Sequence, residues 1–144
     1  MLNIYDLCGS INLSGTPKYK FDRKPDAVVI ELGINDYVNG GLSSSPETYA
    51  AGVKQFVENL RAKYGEDLSI VWLYGYRDDA KDFWSTTKAT LDKLIAAGDE
   101  NIHYCKVSKA YLTSQQGGDG WHPNVKMATT FGQEVADFLK DLVK

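Results

Sequence analysis

Several protein classes are excluded by what this chain has little of. Its two cysteines, Cys8 and Cys105, stand 97 positions apart. They form neither a disulfide framework nor a metal-binding cluster, and they leave the redox compartment open. Long apolar runs are missing: Ala27 to Ile30 and Ile70 to Tyr74 fall far short of the roughly 20 residues of a membrane-spanning helix. The N-terminus carries no basic-then-apolar leader pattern. Basic charge is not in excess either, since 16 Lys and Arg against 19 Asp and Glu leave a net charge of −3. A protein that neutralises a nucleic-acid backbone is thereby disfavoured. No repeat and no low-complexity tract interrupts the sequence. What remains is ordinary globular usage, 43% hydrophobic and 24% charged over 144 residues, which suits one domain and argues against disorder or a coiled coil.

Three apolar runs alternate with three helical patterns. Ala27-Val28-Val29-Ile30-Glu31-Leu32, bounded by Pro25 and Gly33, reads as a buried strand. Ser45-Pro46-Glu47 then combines a capping serine, a proline suited to the first helical position and an early acid. Tyr49, Val53, Phe56, Val57, Leu60 and Tyr64 recur behind it at three- and four-residue steps, with Gly65 as the stop. Leu68 to Tyr74 is a second strand, followed by a helix centred on Leu91, Leu94 and Ile95 and closed by Gly98. Ile102 to Val107 is a third strand. The last helix starts near Asn124, with Ala128, Phe131, Val135, Phe138, Leu139 and Leu142 on one face. This alternation predicts an α/β fold with a parallel sheet and right-handed crossovers. Leu2 to Leu7 could form a short strand and Cys8 to Asp22 reads as loop, with residues 1–24 an irregular segment of the same single domain, 1–144.

In such sheets ligands bind outside the carboxyl ends of the strands. Three segments fall there: Gly33 to Tyr37, Gly75 to Asp78, and Ser108 to Pro123. The chain has only two histidines. His103 lies inside a strand and reads as a packed or surface imidazole. His122 sits in a glycine-rich turn before a helix, with Asp119 three residues upstream. A carboxylate at that spacing can fold back on the imidazole, fix its tautomer and stabilise its cation. Equally, Asp119 could turn the loop while His122 caps the helix start. Gly33-Ile34-Asn35-Asp36 is also open to two roles, as a strand-ending turn or as a source of neutral donors for an oxyanion.

Taken together and in this order, Gly33-Ile34-Asn35-Asp36 and Asp119-Gly120-Trp121-His122 resemble the third and fifth blocks of the SGNH (GDSL-type) hydrolases. The wider context resembles carbohydrate esterase family 2. It includes Lys20-Phe21-Asp22 and Pro25-Asp26 before the first strand, Gly98-Asp99 before Ile102-His103-Tyr104, and Pro123-Asn124-Val125 with Lys126-Met127-Ala128. The resemblance covers about residues 19–144. It implies a three-layer α/β/α domain of flavodoxin-like type and an esterase or deacetylase acting on acetylated carbohydrates or small acyl esters. His122 would be the base, Asp119 its orienter, and Asn35 with the Gly33 amide the oxyanion donors. It implies no cofactor and a secreted bacterial setting.

The resemblance also implies a serine in a Gly-Asp-Ser block. Cys8-Gly9-Ser10 is the nearest match, but only 23 positions separate Ser10 from Gly33. A parallel crossover needs about a dozen residues beyond its strands, so the alternative alignment places residues 1–18 in the loop before the third block. A sheet of three strands would expose an edge at the first, which invites pairing with another chain or with residues 2–7 and predicts a homodimer or tighter assembly. Trp121, Trp84, Tyr37 and Tyr76 are candidates for an aromatic platform under a sugar ring, although Trp84 at a helix start also suits inward packing. Trp72, in mid-strand, belongs in the core. Asp78, Asp79 and Asp82 read as a solvated helix start rather than a metal site. The other function class open to the chain is a carbohydrate-binding or interaction remnant without catalysis. No Gly-x-Ser-x-Gly elbow of an α/β-hydrolase is present.

Overall fold

A computed structural model describes residues 17–33, 35, 45–75, 81–108 and 123–143. Strands and helices alternate along it: β1 (Ala27–Ile30), α1 (Pro46–Tyr64), β2 (Ser69–Tyr74), α2 (Lys81–Ala96), β3 (Ile102–Lys106) and α3 (Val125–Leu142). The strands lie in the order β1-β2-β3 and both pairs are parallel. Val29 sits opposite Val71, and Trp72 opposite Tyr104. Parallel neighbours require crossovers, which α1 and α2 supply.

The local signals act where they stand in the sequence. The Ser45 side chain accepts from the Thr48 N–H at 3.2 Å, and Pro46 occupies the first turn of α1. A hydrogen bond from the Ser45 side chain, then one from its own backbone N–H, holds the Glu47 carboxyl below its ordinary range. Gly65 ends the helix by donating to the Arg61 carbonyl at 2.8 Å. At the head of α3 the Asn124 side chain accepts from Met127 N–H at 3.0 Å. The first strand is shorter than its apolar run. It stops at Ile30, and Glu31 and Leu32 are exposed, because the chain leaves the ladder ahead of the left-handed turn at Gly33.

Alternation along the strands sorts side chains onto two faces. Ile30, Ile70, Trp72 and Ile102 face α1 and α2, where they meet Val53, Phe56, Val57, Leu60, Phe83 and Leu91. Val71, Leu73, Cys105 and Val107 face α3 and meet Phe131, Val135, Phe138, Leu139 and Leu142. The result is three layers, α/β/α. Trp72 is only 1% exposed, so it is core. The two faces are covered unequally: α1 contributes fully buried residues, whereas α3 has none. Among the described residues β1 pairs only with β2, and Val29 on its α3 side is 37% exposed.

At the amino end of the sheet Arg61 is buried and fully engaged. Its Nε and Nη2 donate to both Asp99 carboxylate oxygens at 2.8 and 2.6 Å, and Nη1 donates to the Leu68 carbonyl at 2.5 Å. This fork ties the end of α1 to the turns that enter β2 and β3, a planar geometry that lysine cannot reproduce.

His103 on β3 is half-buried, and its Nε2 is enclosed without a hydrogen-bond partner among the described residues. Burial first, then the nearby Arg61 charge, push the imidazole below its ordinary value of 6.5, while Asp99 opposes them. The unfolded chain therefore binds this proton more readily. Stability contributed here is complete above 6.5 and declines as pH falls from 6.5 towards the lower folded value. His103→Gln is expected to flatten that window, checked by urea unfolding at about pH 7.5 and about pH 5.5. An unchanged pH slope in the variant would remove His103 from the account.

Candidate functional site

Because the strands are parallel, the carboxyl ends of β1, β2 and β3 share one end of the sheet. Gly33 follows β1 there. It is buried and has φ +106°, a conformation that side chains rarely adopt. A Cβ at this position would lie 2.5 Å from Tyr49 Oη and 3.2 Å from Phe83 Cε2. Glycine is thus required twice, by backbone angle and by space.

The surface beneath Gly33 is closely packed. The Tyr49 and Phe83 rings pack with centroids 5.5 Å apart at 51°. Thr87, wholly buried, donates its hydroxyl proton to the Phe83 carbonyl at 3.0 Å. Its oxygen is then the acceptor for Tyr49 Oη, also at 3.0 Å. The phenol is held in one orientation by α2, and the turn carrying Gly33 rests on it. Asn35, two residues on, is exposed.

At the end of β2, Gly75 has φ +89°, and a Cβ there would come within 2.8 Å of the Val107 carbonyl oxygen. The Val107 N–H donates to the Tyr74 carbonyl at 2.9 Å. The β2 and β3 ends are therefore flush. Ser108, the next residue, is held by α3: its N–H donates to Glu134 Oε2 at 2.6 Å, and its hydroxyl donates to Glu134 Oε1. Cys105 nearby is buried, and burial followed by the Glu134 charge pushes its thiol up, so it is a packing residue rather than a nucleophile.

Trp84 lies in the first turn of α2, half-buried against the core. Tyr74 stacks on it at 4.5 Å and 6°, and Tyr104 meets it edge-on at 5.7 Å and 90°. The Tyr104 hydroxyl in turn donates to Asp92 at 2.7 Å, and burial together with that carboxylate pushes the phenol well above its usual range. One face of Trp84 is thus committed to protein contacts.

Of the residues marked by the sequence, Gly33, Asn35 and Trp84 are described, while Ser10, Tyr37, Tyr76, Asp119, Trp121 and His122 lie outside the described residues. The acidic group at 78, 79 and 82 falls outside them as well, apart from the helical backbone of Asp82. His122 adjoins Pro123 and the cap of α3 in sequence. Tyr49, Thr87 and Glu134 were not marked. Tyr49 and Thr87 belong to apolar helix faces, and Glu134 is one acid among several on α3. Their partners lie 38 and 26 positions away, beyond any local pattern.

The described residues form a three-layer α/β/α fold with glycine turns at the carboxyl ends of β1 and β2. The chain belongs to the GDSL-like lipase/acylhydrolase family, whose profile matches residues 9–135. An acetyl xylan esterase from the rumen bacterium Butyrivibrio proteoclasticus superposes on 96% of this chain and 45% of its own, with a TM-score of 0.73 and 20% identity. A family two carbohydrate esterase from Clostridium thermocellum, solved in complex with cellohexaose, covers 89% of this chain and 39% of its own at a TM-score of 0.73 and 20% identity. At that identity the likeness is one of fold. The chain spans less than half of either structure. A tRNA dimethylallyltransferase of Prochlorococcus marinus (strain AS9601) is 31% identical over 99 residues, which are 67% of this chain and 32% of that protein. That likeness covers part of both chains, whereas the family match takes in the strand-end turn and the helix-start segment together.

Proposed function

We propose that residues 1–144 form one domain that hydrolyses carboxylic esters of acetylated saccharides or small acyl esters. His122 acts as base, Asp119 fixes its tautomer, and Asn35 with the Gly33 amide stabilises the oxyanion. The observation that carries this is Gly33, buried at φ +106° on the fixed Tyr49 ring at the end of β1. A turn held this way is preorganised, and preorganised neutral donors are what a tetrahedral oxyanion requires.

In the reaction His122 takes the proton of the attacking hydroxyl as its oxygen bonds to the acyl carbon. The protonated imidazole then returns that proton to the leaving alkoxide as the ester bond breaks. With Ser10 as nucleophile an acyl-serine forms, and water cleaves it in a second cycle. With water attacking directly, one step suffices but the barrier is not divided. Trp121, Trp84, Tyr37 and Tyr76 serve as an aromatic platform for a saccharide ring. The edge of β1, without a further strand among the described residues, pairs with a second copy, giving a homodimer.

The test is acetate release from acetylated xylan fragments and from a small acetyl ester by the purified chain, with its mass in solution measured alongside. Turnover lost in Ser10→Ala assigns the serine, and turnover retained assigns water. Saccharide affinity sensitive to Trp121→Ala, with no turnover above background, would replace the enzyme by a binding module. A monomer at every concentration removes the dimer.

A further inference from the structure

We infer that Glu134 is a positioning residue: through Ser108 it sets where the segment carrying His122 leaves the sheet, an inference that rests on the role proposed for His122. The ladder explains why a clamp is needed at this point. Val107, 3% exposed, is the last buried residue of the β3 run, and its N–H is the last to find a partner on β2. Ser108 is exposed, and among the described residues its N–H has no strand beside it. Glu134 takes that donor and the Ser108 hydroxyl, one with each carboxylate oxygen. Hydrogen bonds to an ionised acceptor are roughly twice as strong as neutral ones, and two from one residue fix its direction as well as its distance.

The other end of the same segment depends on the same place. From Ser108 the chain runs through residues 109–122 to Pro123 and the cap of α3. The first turns of α3 grip little: Val125 is 84% exposed, and Lys126, Ala128, Thr129 and Thr130 are exposed too. Phe131 is the first residue of α3 packed against the sheet cluster. At 1.5 Å per residue, the ten steps from Asn124 to Glu134 carry the helix about 15 Å before the clamp. Glu134, one turn beyond Phe131, is thus where this part of α3 is registered to the end of β3. Its charge also raises the buried Cys105 thiol, as expected of a carboxylate directed at the strand end rather than into solvent.

The experiment uses the full chain with Glu134→Ala, Glu134→Gln and Ser108→Ala. Arg61→Lys serves as a variant weakened at the opposite end of the sheet. In Glu134→Ala, kcat for the acetyl ester should fall about 10- to 100-fold with KM nearly constant, the cost of misplacing a catalytic group by about an ångström. Glutamine can still accept from the Ser108 N–H while its amide donates to the hydroxyl oxygen, so Glu134→Gln should recover most of kcat. Ser108→Ala, which keeps one of the two bonds, should fall between them. Arg61→Lys should lose stability and keep kcat. Amide exchange over residues 108–122 should quicken roughly tenfold in Glu134→Ala, as for a lost charged hydrogen bond, and stay at the wild-type rate in Glu134→Gln and Arg61→Lys. Unchanged exchange in Glu134→Ala, or equal kcat losses in Glu134→Ala and Arg61→Lys, would overturn the inference. A wild-type chain without turnover would defeat the proposed function instead, and the exchange rates alone would then decide the clamp.

Discussion

His122→Ala is expected to lower acetyl-ester turnover by about 10²–10⁴-fold, the range set by losing a positioned general base. The imidazole is the one group in the proposed site whose ordinary pKa lets it take and return a proton near neutral pH. Among the described residues, the other histidine and the cysteine offer no substitute. The other histidine, His103, is half-buried on β3 with its Nε2 enclosed and its proton affinity lowered by burial. The Cys105 thiol is buried and pushed up. Neither can supply a base at the strand ends. His103→Gln is therefore the matched control, expected to retain turnover while altering only the pH dependence of stability. Asp119→Asn should fall between wild type and His122→Ala, because the imidazole remains but its favoured tautomer is lost. The assay is initial-rate hydrolysis, with thermal unfolding of each variant measured in parallel. Turnover in His122→Ala equal to wild type would end the assignment of His122 as base.

The elements were legible because their signals are periodic or punctuated. Tyr49, Val53, Phe56, Val57 and Leu60 recur at helical spacing and are the buried face of α1. Ser45, Gly65 and Asn124 cap helices where they stand. The β-branched runs became parallel strands, and the carboxyl-end rule then selected Gly33 and Gly75, both of which hold left-handed backbone. Less legible was how far a strand runs: Leu32 is apolar yet 48% exposed, since the glycine turn, not hydrophobicity, ends β1. The pairings that fix the site were not legible. Tyr49 with Thr87 and Arg61 with Asp99 are each 38 positions apart, and Ser108 with Glu134 is 26 apart. Side-chain partners on different elements leave no period in the sequence. They follow only once the layers are assembled. Trp84 shows the same limit from another side: its aromatic character was evident, but the Tyr74 stack that occupies one face depends on the β2–α2 packing.

Gly33→Ala is expected to cost about 2–4 kcal/mol of stability, the sum of left-handed backbone strain and a crowded Cβ. It should also cost about 10²-fold in turnover, because a turn displaced by an ångström no longer aims its amide. The two losses have separable causes. The steric part comes chiefly from Tyr49 Oη, 2.5 Å from the added Cβ, while the nearest ring carbon is 3.1 Å away and the conformation at φ +106° persists regardless. Adding Tyr49→Phe removes the hydroxyl, and Thr87 still donates to the Phe83 carbonyl. The double variant should therefore regain part of the stability lost in Gly33→Ala. It should regain little turnover, since the strained alanine still moves the turn. Tyr49→Phe alone should be mildly destabilising, by about 0.5–1.5 kcal/mol for one hydrogen bond, with turnover nearly intact. Urea unfolding and initial rates on the four proteins complete a double-mutant cycle. A Gly33→Ala protein as stable as wild type would show that the turn relaxes freely, and a relaxed turn cannot be a preorganised oxyanion site. Stability lost without turnover would leave Gly33 a structural glycine and move the oxyanion donors elsewhere.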